Sequence, residues 1–147
     1  MNVKRIIFPT DFSPTGNEAM KMVVPIARRS NARVFVVHVD ESPLAVDAGH
    51  VYFGEMDHAM QERMTAVTPD CKSIFFEYRF LTGDPAEKIV EFSKEVDADL
   101  IIMGTHGRTG LERVLLGSVA EGAVRSATCS VLTYKHSQKE PAEVLEL

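Results

Sequence analysis

A chain of 147 residues has the size of one domain, with enough core to need neither a disulfide nor a metal staple. Its 45% hydrophobic and 25% charged residues exclude a disordered, collagenous or coiled-coil chain. The net charge of −5, from 16 basic and 21 acidic residues, disfavours a general nucleic-acid surface but leaves room for a small anion at a local site. The longest strongly apolar runs, Val34–Val37 and Leu100–Met103, fall well short of the ~20 residues that span a bilayer. The basic start of the chain is followed by too few apolar residues for a secretory signal. A cytoplasmic protein without membrane insertion or nucleic-acid partner is therefore expected. Cys71 and Cys129 follow no CxxC spacing and read as reduced thiols, buried filler rather than nucleophiles.

In chain order, Val3–Phe8 is apolar and partly β-branched and stops at Pro9, which predicts a first strand. Ser13-Pro14 predicts a helix start, with Ser as N-cap and Pro in the first helical position. Ala19, Met20, Val23, Val24 and Ala27 recur at helical spacing up to Arg29, and Pro25 marks a candidate kink. Arg33–Val39 is the second strand, its nearly unbroken apolar run that of a strand buried on both faces. Asp40–Gly54, punctuated by Pro43, Gly49 and Gly54, reads as a long loop. Glu55–Val67 reads as a helix and Ile74–Leu81 as the third strand. Thr82-Gly83-Asp84-Pro85 turns into a helix capped by Asp84, with Ile89, Val90, Phe92 and Val96 on its buried face. Asp99–Met103 is the fourth strand, Gly104–Gly117 a second long loop, Ser118–Arg125 a helix and Cys129–Tyr134 the fifth strand. Residues 1–135 form the expected domain and 136–147 a polar tail.

Strands alternate with helices throughout, the pattern of a parallel sheet covered on both faces. The expected fold is α/β: a single open, doubly wound, Rossmann-like sheet of five parallel strands in the order 3-2-1-4-5. Ligands of such sheets bind beyond the carboxyl ends of the strands, where the strand order reverses. That places a candidate site at Pro9–Asp11, Val39–Asp40, Leu81–Asp84 and Met103–Val119.

The glycine-rich segment Met103-Gly104-Thr105-His106-Gly107-Arg108-Thr109-Gly110 leaves a strand, and the chain enters a helix at Gly117-Ser118-Val119. A helix N-terminus offers unpaired N–H groups and about half a positive charge, a seat for phosphate. Glycines at 104, 107 and 117 let backbone approach a ligand closely, and Arg108, Arg113 and Arg125 add positive charge nearby. A plainer reading stands beside this one: Ser118 and Glu121 have the spacing of a capping box, and the glycines serve turns. A P-loop lysine motif and a G-x-G-x-x-G after the first strand are both missing.

These residues resemble a known family. Gly104-x2-Gly107-x9-Gly117-Ser118 matches the G-x2-G-x9-G-[ST] signature of ATP-binding universal stress proteins. Ile6-Ile7-Phe8-Pro9-Thr10-Asp11-Phe12-Ser13, Val37-His38-Val39-Asp40, Gly83-x-Pro85 and Leu115-Leu116-Gly117-Ser118-Val119-Ala120-Glu121 agree with it in order and spacing, from about Lys4 to Tyr134. The resemblance implies ATP, or AMP or ADP, lying across the strand ends. Asp11 would accept from the adenine amino group or a ribose hydroxyl, and backbone at Val39 would meet the adenine edge. Pro9, Thr10, Met103 and Gly104 would line the adenosine pocket. Gly107, Arg108, Gly117, Ser118 and Val119 would hold the phosphates, with Mg2+ or Mn2+ riding on them. The alternative for Asp11 is a cap or a bond to nearby backbone. The resemblance also implies a homodimer, and the fifth strand, an apolar sheet edge, is its expected contact.

The remaining chemistry is sparse. His50 and His58, with Glu55 and Asp57, fit no usual metal spacing, and His38 reads as a satisfied core histidine. His106 lies in the glycine loop; its pairing with Ser118 lacks an orienting acid and a nucleophile elbow. The leading expectation is a nucleotide-dependent regulatory or stress-response protein controlling an unknown partner. The alternative is a slow ATP hydrolase, or a phosphoryl or adenylyl transferase, using the same pocket. A receiver domain shares the alternating pattern, but Asp11 stands alone and the third strand ends in Leu81-Thr82 rather than aspartate.

Overall fold

Successive side chains of a strand point to opposite faces, so a strand apolar at every position must be covered on both sides. The computed structural model, which describes residues 2–42, 51–105 and 116–135, satisfies that requirement. Strand β1 (Arg5–Pro9) is followed by helices α1 (Pro14–Asn17) and α2 (Met20–Ser30), then β2 (Arg33–Asp40). A two-residue β3 (Val51–Tyr52), a 3-10 turn at Phe53–Glu55 and α3 (His58–Ala66) lead to β4 (Phe76–Thr82). Then come α4 (Pro85–Glu95), β5 (Leu100–Gly104), α5 (Ser118–Ser126) and β6 (Ser130–Tyr134). Ile6, Phe8, Val34, Val36 and Ile102 pack against Val23 and Ala27 of α2 and Met64 of α3. Ile7, Phe35, Val37 and Ile101 pack on the other face, against Ile89 and Phe92 of α4 and Ala120 and Ala123 of α5.

The sheet order is β3-β4-β2-β1-β5-β6. Without β3, the five longer strands are parallel and stand in the expected order, with β6 at one edge. The expectation of five parallel strands is corrected at the other edge: Val51 and Tyr52 pair antiparallel with Phe80 and Arg79, making six strands and a mixed sheet. Two residues carry no alternation to read, and Gly49 and Gly54 flank them. Three further boundaries move. The helix expected from Ser13 to Arg29 is two helices, broken at Glu18–Ala19. Pro25 lies within α2, which continues through it to Ser30. The helix expected from Glu55 begins at His58, because Asp57 accepts the Met60 N–H at 2.8 Å and caps it there.

Both cysteines are free thiols of intermediate exposure, packed against the margins of the two core clusters rather than fully buried as expected. Cys71 lies 3.1 Å from Ser73 Oγ and accepts from Arg28 Nη2 at 3.2 Å. The Ser73 hydrogen bond and then the Arg28 contact draw its pKa down to about 7, whereas burial pushes the Cys129 thiol up.

Two consequences can be measured. The rate of Cys71 alkylation should reach half its maximum near pH 7, and Ser73→Ala should move that midpoint upward. Helices α4 and α5 meet so closely that a Cβ on Gly122 would lie 2.6 Å from Ala86 Cβ. Neither atom can rotate away, so Gly122→Ala should destabilise the fold by about 1–3 kcal/mol in denaturant titration. In an Ala86→Gly background the same change should become favourable, by up to about 1 kcal/mol, through helix propensity alone.

Candidate functional site

Strand β1 lies between β2 and β5, so the chain leaves it to one side and later returns to the other. The crevice at that reversal is a cleft of about 480 Å³, within the roughly 300–1,000 Å³ of small-molecule sites. Of the expected site residues, Pro9, Thr10, Asp11, Val39, Met103, Gly104, Gly117, Ser118 and Val119 all line it. Gly107 and Arg108, together with His106 and Arg113, lie outside the described residues, as does the 136–147 tail.

The turn after β1 is built by its own side chains. Thr10 N–H donates to the Val37 carbonyl at 2.8 Å, one step beyond the strand. Thr10 Oγ1 donates to Asn17 Oδ1 at 2.6 Å and accepts the Phe12 N–H at 3.0 Å. Asp11 Oδ1 accepts from both the Ser13 N–H, at 2.9 Å, and the Ser13 hydroxyl. That hydroxyl accepts the Gly16 N–H at 3.1 Å and caps α1. Asp11 is thus bonded to nearby backbone, the alternative role weighed for it. These bonds orient the carboxylate. Gly16 also lines the cleft, and a Cβ there would crowd Ser13 Oγ at 2.8 Å and Asp11 Oδ1 at 3.0 Å.

On the adjoining strand, His38 Nδ1 lies 2.8 Å from the Thr10 carbonyl. Its ring sits between Phe12 and Phe80, with centroids at 4.3 and 5.6 Å. The Asp40 carbonyl accepts the Gly83 N–H at 2.9 Å, tying the end of β2 to the turn before α4.

Opposite lies the end of β5 and the start of α5. Thr105 donates its N–H to the Tyr134 carbonyl at 3.0 Å, and its own carbonyl accepts the Gly117 N–H at 2.6 Å. Thr105 thus ties β5 to β6 through its N–H and to the start of α5 through its carbonyl. The capping-box reading is corrected here: Gly117 is the N-cap of α5, with no side-chain cap, and Ser118 is the first helical residue. Glu121 is drawn away by Arg125, 2.8 Å from its carboxylate. By contrast α1, α3 and α4 are capped by Ser13, Asp57 and Asp84. The first bond inside α5 is Glu121 N–H to the Gly117 carbonyl, so the amides of Ser118, Val119 and Ala120 remain as first-turn donors beside the cleft. Gly117 has φ −67° and ψ 164°, extended backbone open to any residue.

The sequence reading missed Gly16, Val37, His38, Glu41, Ser42, Pro85, Ile89 and Ala120 as lining residues, and the expected segment Leu81–Asp84 is not among the lining residues. Pro85 and Ile89 share one face of α4 at i and i+4, a spacing that reads equally well as core. Ala120, 2% exposed, carries no chemistry in its side chain; only the helix start identifies its amide. Among the described residues, no three His, Cys, Asp or Glu side chains converge as metal ligands, and no helix is long and apolar enough to cross a membrane.

Three known proteins illustrate the likeness. Universal stress protein MJ0531 of Methanocaldococcus jannaschii is 38% identical over 144 residues, spanning 93% of this chain and 85% of the relative. The solved structure of hypothetical protein MJ0577, from the same organism, superposes with a TM-score of 0.73 at 25% identity, covering 95% of this chain and all of that one. A universal stress protein solved in complex with cAMP superposes with a TM-score of 0.65 at 25% identity, covering 93% of this chain and 100% of the other. The sequence pattern of the universal stress protein family matches residues 2–135, and with the fold and cleft described above it shows that this chain belongs to that family.

Proposed function

We propose that the chain binds an adenine nucleotide, ATP or its mono- or diphosphate, in the switch-point cleft and acts as a nucleotide-dependent regulatory or stress-response protein of the cytoplasm. One observation carries the reading: α5 enters the cleft uncapped, with the amides of Ser118, Val119 and Ala120 left for an anion. Pro9, Thr10, Met103 and Gly104 would line the nucleoside half, Asp11 would accept from the adenine amino group or a ribose hydroxyl, and Val39 would meet the base through its backbone. The α5 amides and the Ser118 hydroxyl would hold phosphate, joined by Gly107 and Arg108 of the glycine signature. The family relative in complex with cAMP supports an adenine ligand. Mg2+ or Mn2+ would ride on the phosphates, since the protein groups placed here are amides and a hydroxyl rather than a carboxylate cage.

The same reading includes a homodimer through β6. The Tyr134 carbonyl faces β5, where Thr105 donates to it, so by strand alternation the Val131 N–H faces the open edge. Sedimentation should show a dimer at micromolar concentration. Val131→Pro should shift it toward monomer with the melting temperature of the monomer little changed, because the lost donor does not belong to the β5–β6 ladder.

Calorimetry with ATP and adenosine tests the cleft. Asp11→Ala should weaken both ligands about tenfold, the loss of one hydrogen bond to the nucleoside. Gly117→Val should weaken ATP tenfold or more and adenosine by less than about threefold, because the branched side chain crowds the phosphate end. The open backbone conformation at 117 lets that variant fold, and unchanged ATP affinity in it would refute the phosphate seat.

A further inference from the structure

A parallel ladder exposes one strand's backbone wherever its neighbour stops. Even-numbered residues of β2 turn their N–H and C=O toward β4: Val34 N–H donates to the Phe75 carbonyl, and the Asp40 carbonyl accepts from Gly83. Odd-numbered residues face β1, as the Thr10 N–H to Val37 carbonyl bond shows. Continued one step, this ladder would join the Val39 N–H to the Thr10 carbonyl and the Phe12 N–H to the Val39 carbonyl. Neither bond forms. The Thr10 carbonyl instead meets His38 Nδ1 at 2.8 Å, and the Phe12 N–H instead meets Thr10 Oγ1 at 3.0 Å. A carbonyl oxygen only accepts, so Nδ1 carries the proton. Phe12, at φ +65°, turns the chain away from β2 immediately afterwards. Among the described residues no hydrogen-bond partner meets the Val39 N–H or C=O, and Val39 lines the cleft.

We propose that His38 is a positioning residue for base recognition: its Nδ1–H occupies the Thr10 carbonyl, with Thr10 Oγ1 occupying the Phe12 N–H, so that the Val39 donor–acceptor pair stays open to a nucleobase edge. This rests on the reading of the cleft as an adenine-nucleotide site and adds what selects the base. One N–H and one C=O side by side match the N1 acceptor and the amino donor of adenine. Hypoxanthine, with a protonated N1 and a carbonyl, presents the reverse order. The selectivity therefore lies in a main-chain pair, and the side chain that protects it acts through the Thr10 carbonyl.

The test uses His38→Phe, which keeps a ring between Phe12 and Phe80 but removes the donor, and His38→Asn, whose amide N–H replaces Nδ1–H. Amide hydrogen exchange, read residue by residue by NMR, should find Val39 exchanging at least about tenfold faster than Val37 in the wild type. In His38→Phe the released Thr10 carbonyl should capture the Val39 N–H and slow its exchange about tenfold. Wild type should prefer adenosine over inosine by about tenfold or more, the factor expected for one matched hydrogen bond. His38→Phe should erase that preference without changing affinity for inorganic tripolyphosphate, and His38→Asn should restore it. A merely destabilising substitution would lower the melting temperature and weaken both nucleosides alike. Equal loss for adenosine and inosine, or Val39 protected as well as Val37 in the wild type, overturns the proposal. Wild type that binds tripolyphosphate and neither nucleoside removes the adenine reading itself, whatever Val39 exchange shows.

Discussion

The arrangement depends on a mismatch in strand length. Strand β1 ends at Pro9, opposite Val37, while β2 continues to Asp40. Strand β5, on the other side of β1, ends at Gly104, and its continuation at Thr105 is held by β6 rather than by β1. The central strand is thus the short one, and the space above its end is the cleft. Had β1 continued beside β2, the strand edge would be saturated and only side chains would line the space.

Charge is organised locally rather than globally. The chain carries a net charge of −5, and Asp11, Asp40 and Glu41 all line the cleft. Long-range attraction of an anion is therefore not what the protein as a whole offers. The available attraction is short-ranged: the first-turn amides of α5 and the roughly half positive charge of its dipole. The helix start also keeps acidic groups off that end. Glu121, in the first turn of α5, pairs with Arg125 one turn on. The acidic caps elsewhere, Asp57 on α3 and Asp84 on α4, sit at helix starts that need no ligand. Under the proposed reading the nucleoside is read by strand edges on one side and the phosphates by a helix end on the other, so the two halves can be disabled separately.

Much of this was legible in the sequence because it rests on periodic or punctuated signals. The unbroken apolar run of Arg33–Val39 announced a doubly covered strand, and Asp84-Pro85 announced the start of α4. Gly104, Gly117 and Ser118 located the strand end and the helix start that line the cleft. What escaped depends on contacts distant in the chain or too short to repeat. Val51–Tyr52 becomes a strand only because β4 offers an open edge. Ser118 has the spacing of a cap, but the Gly117 N–H finds the Thr105 carbonyl, and the helix begins one residue earlier than that motif requires. The sequence places His38 in the core, and it is buried at 7% exposure. Which carbonyl it meets could not be known before β1 and β2 were placed in register.

Strain at Phe12 belongs to the same arrangement. A non-glycine residue with left-handed backbone costs of order 1–3 kcal/mol and persists only where its surroundings determine it. Here the ring lies against His38 on one side and beneath the Arg63 guanidinium of α3, 4.1 Å from its centroid, on the other. Partial burial of an aromatic ring and a cation–π contact are together of the size needed to offset such a cost. The turn they hold is the one that withdraws the Phe12 N–H from Val39 and sets Asp11 and Ser13 in hydrogen-bond contact. Glycine at 12 would adopt the same φ without strain but would leave His38 and Arg63 without the ring between them. A bulky residue in a conformation that suits glycine is thus explained by two demands met at once: the backbone must turn away from β2, and the side chain must keep the His38 ring in place against the Thr10 carbonyl.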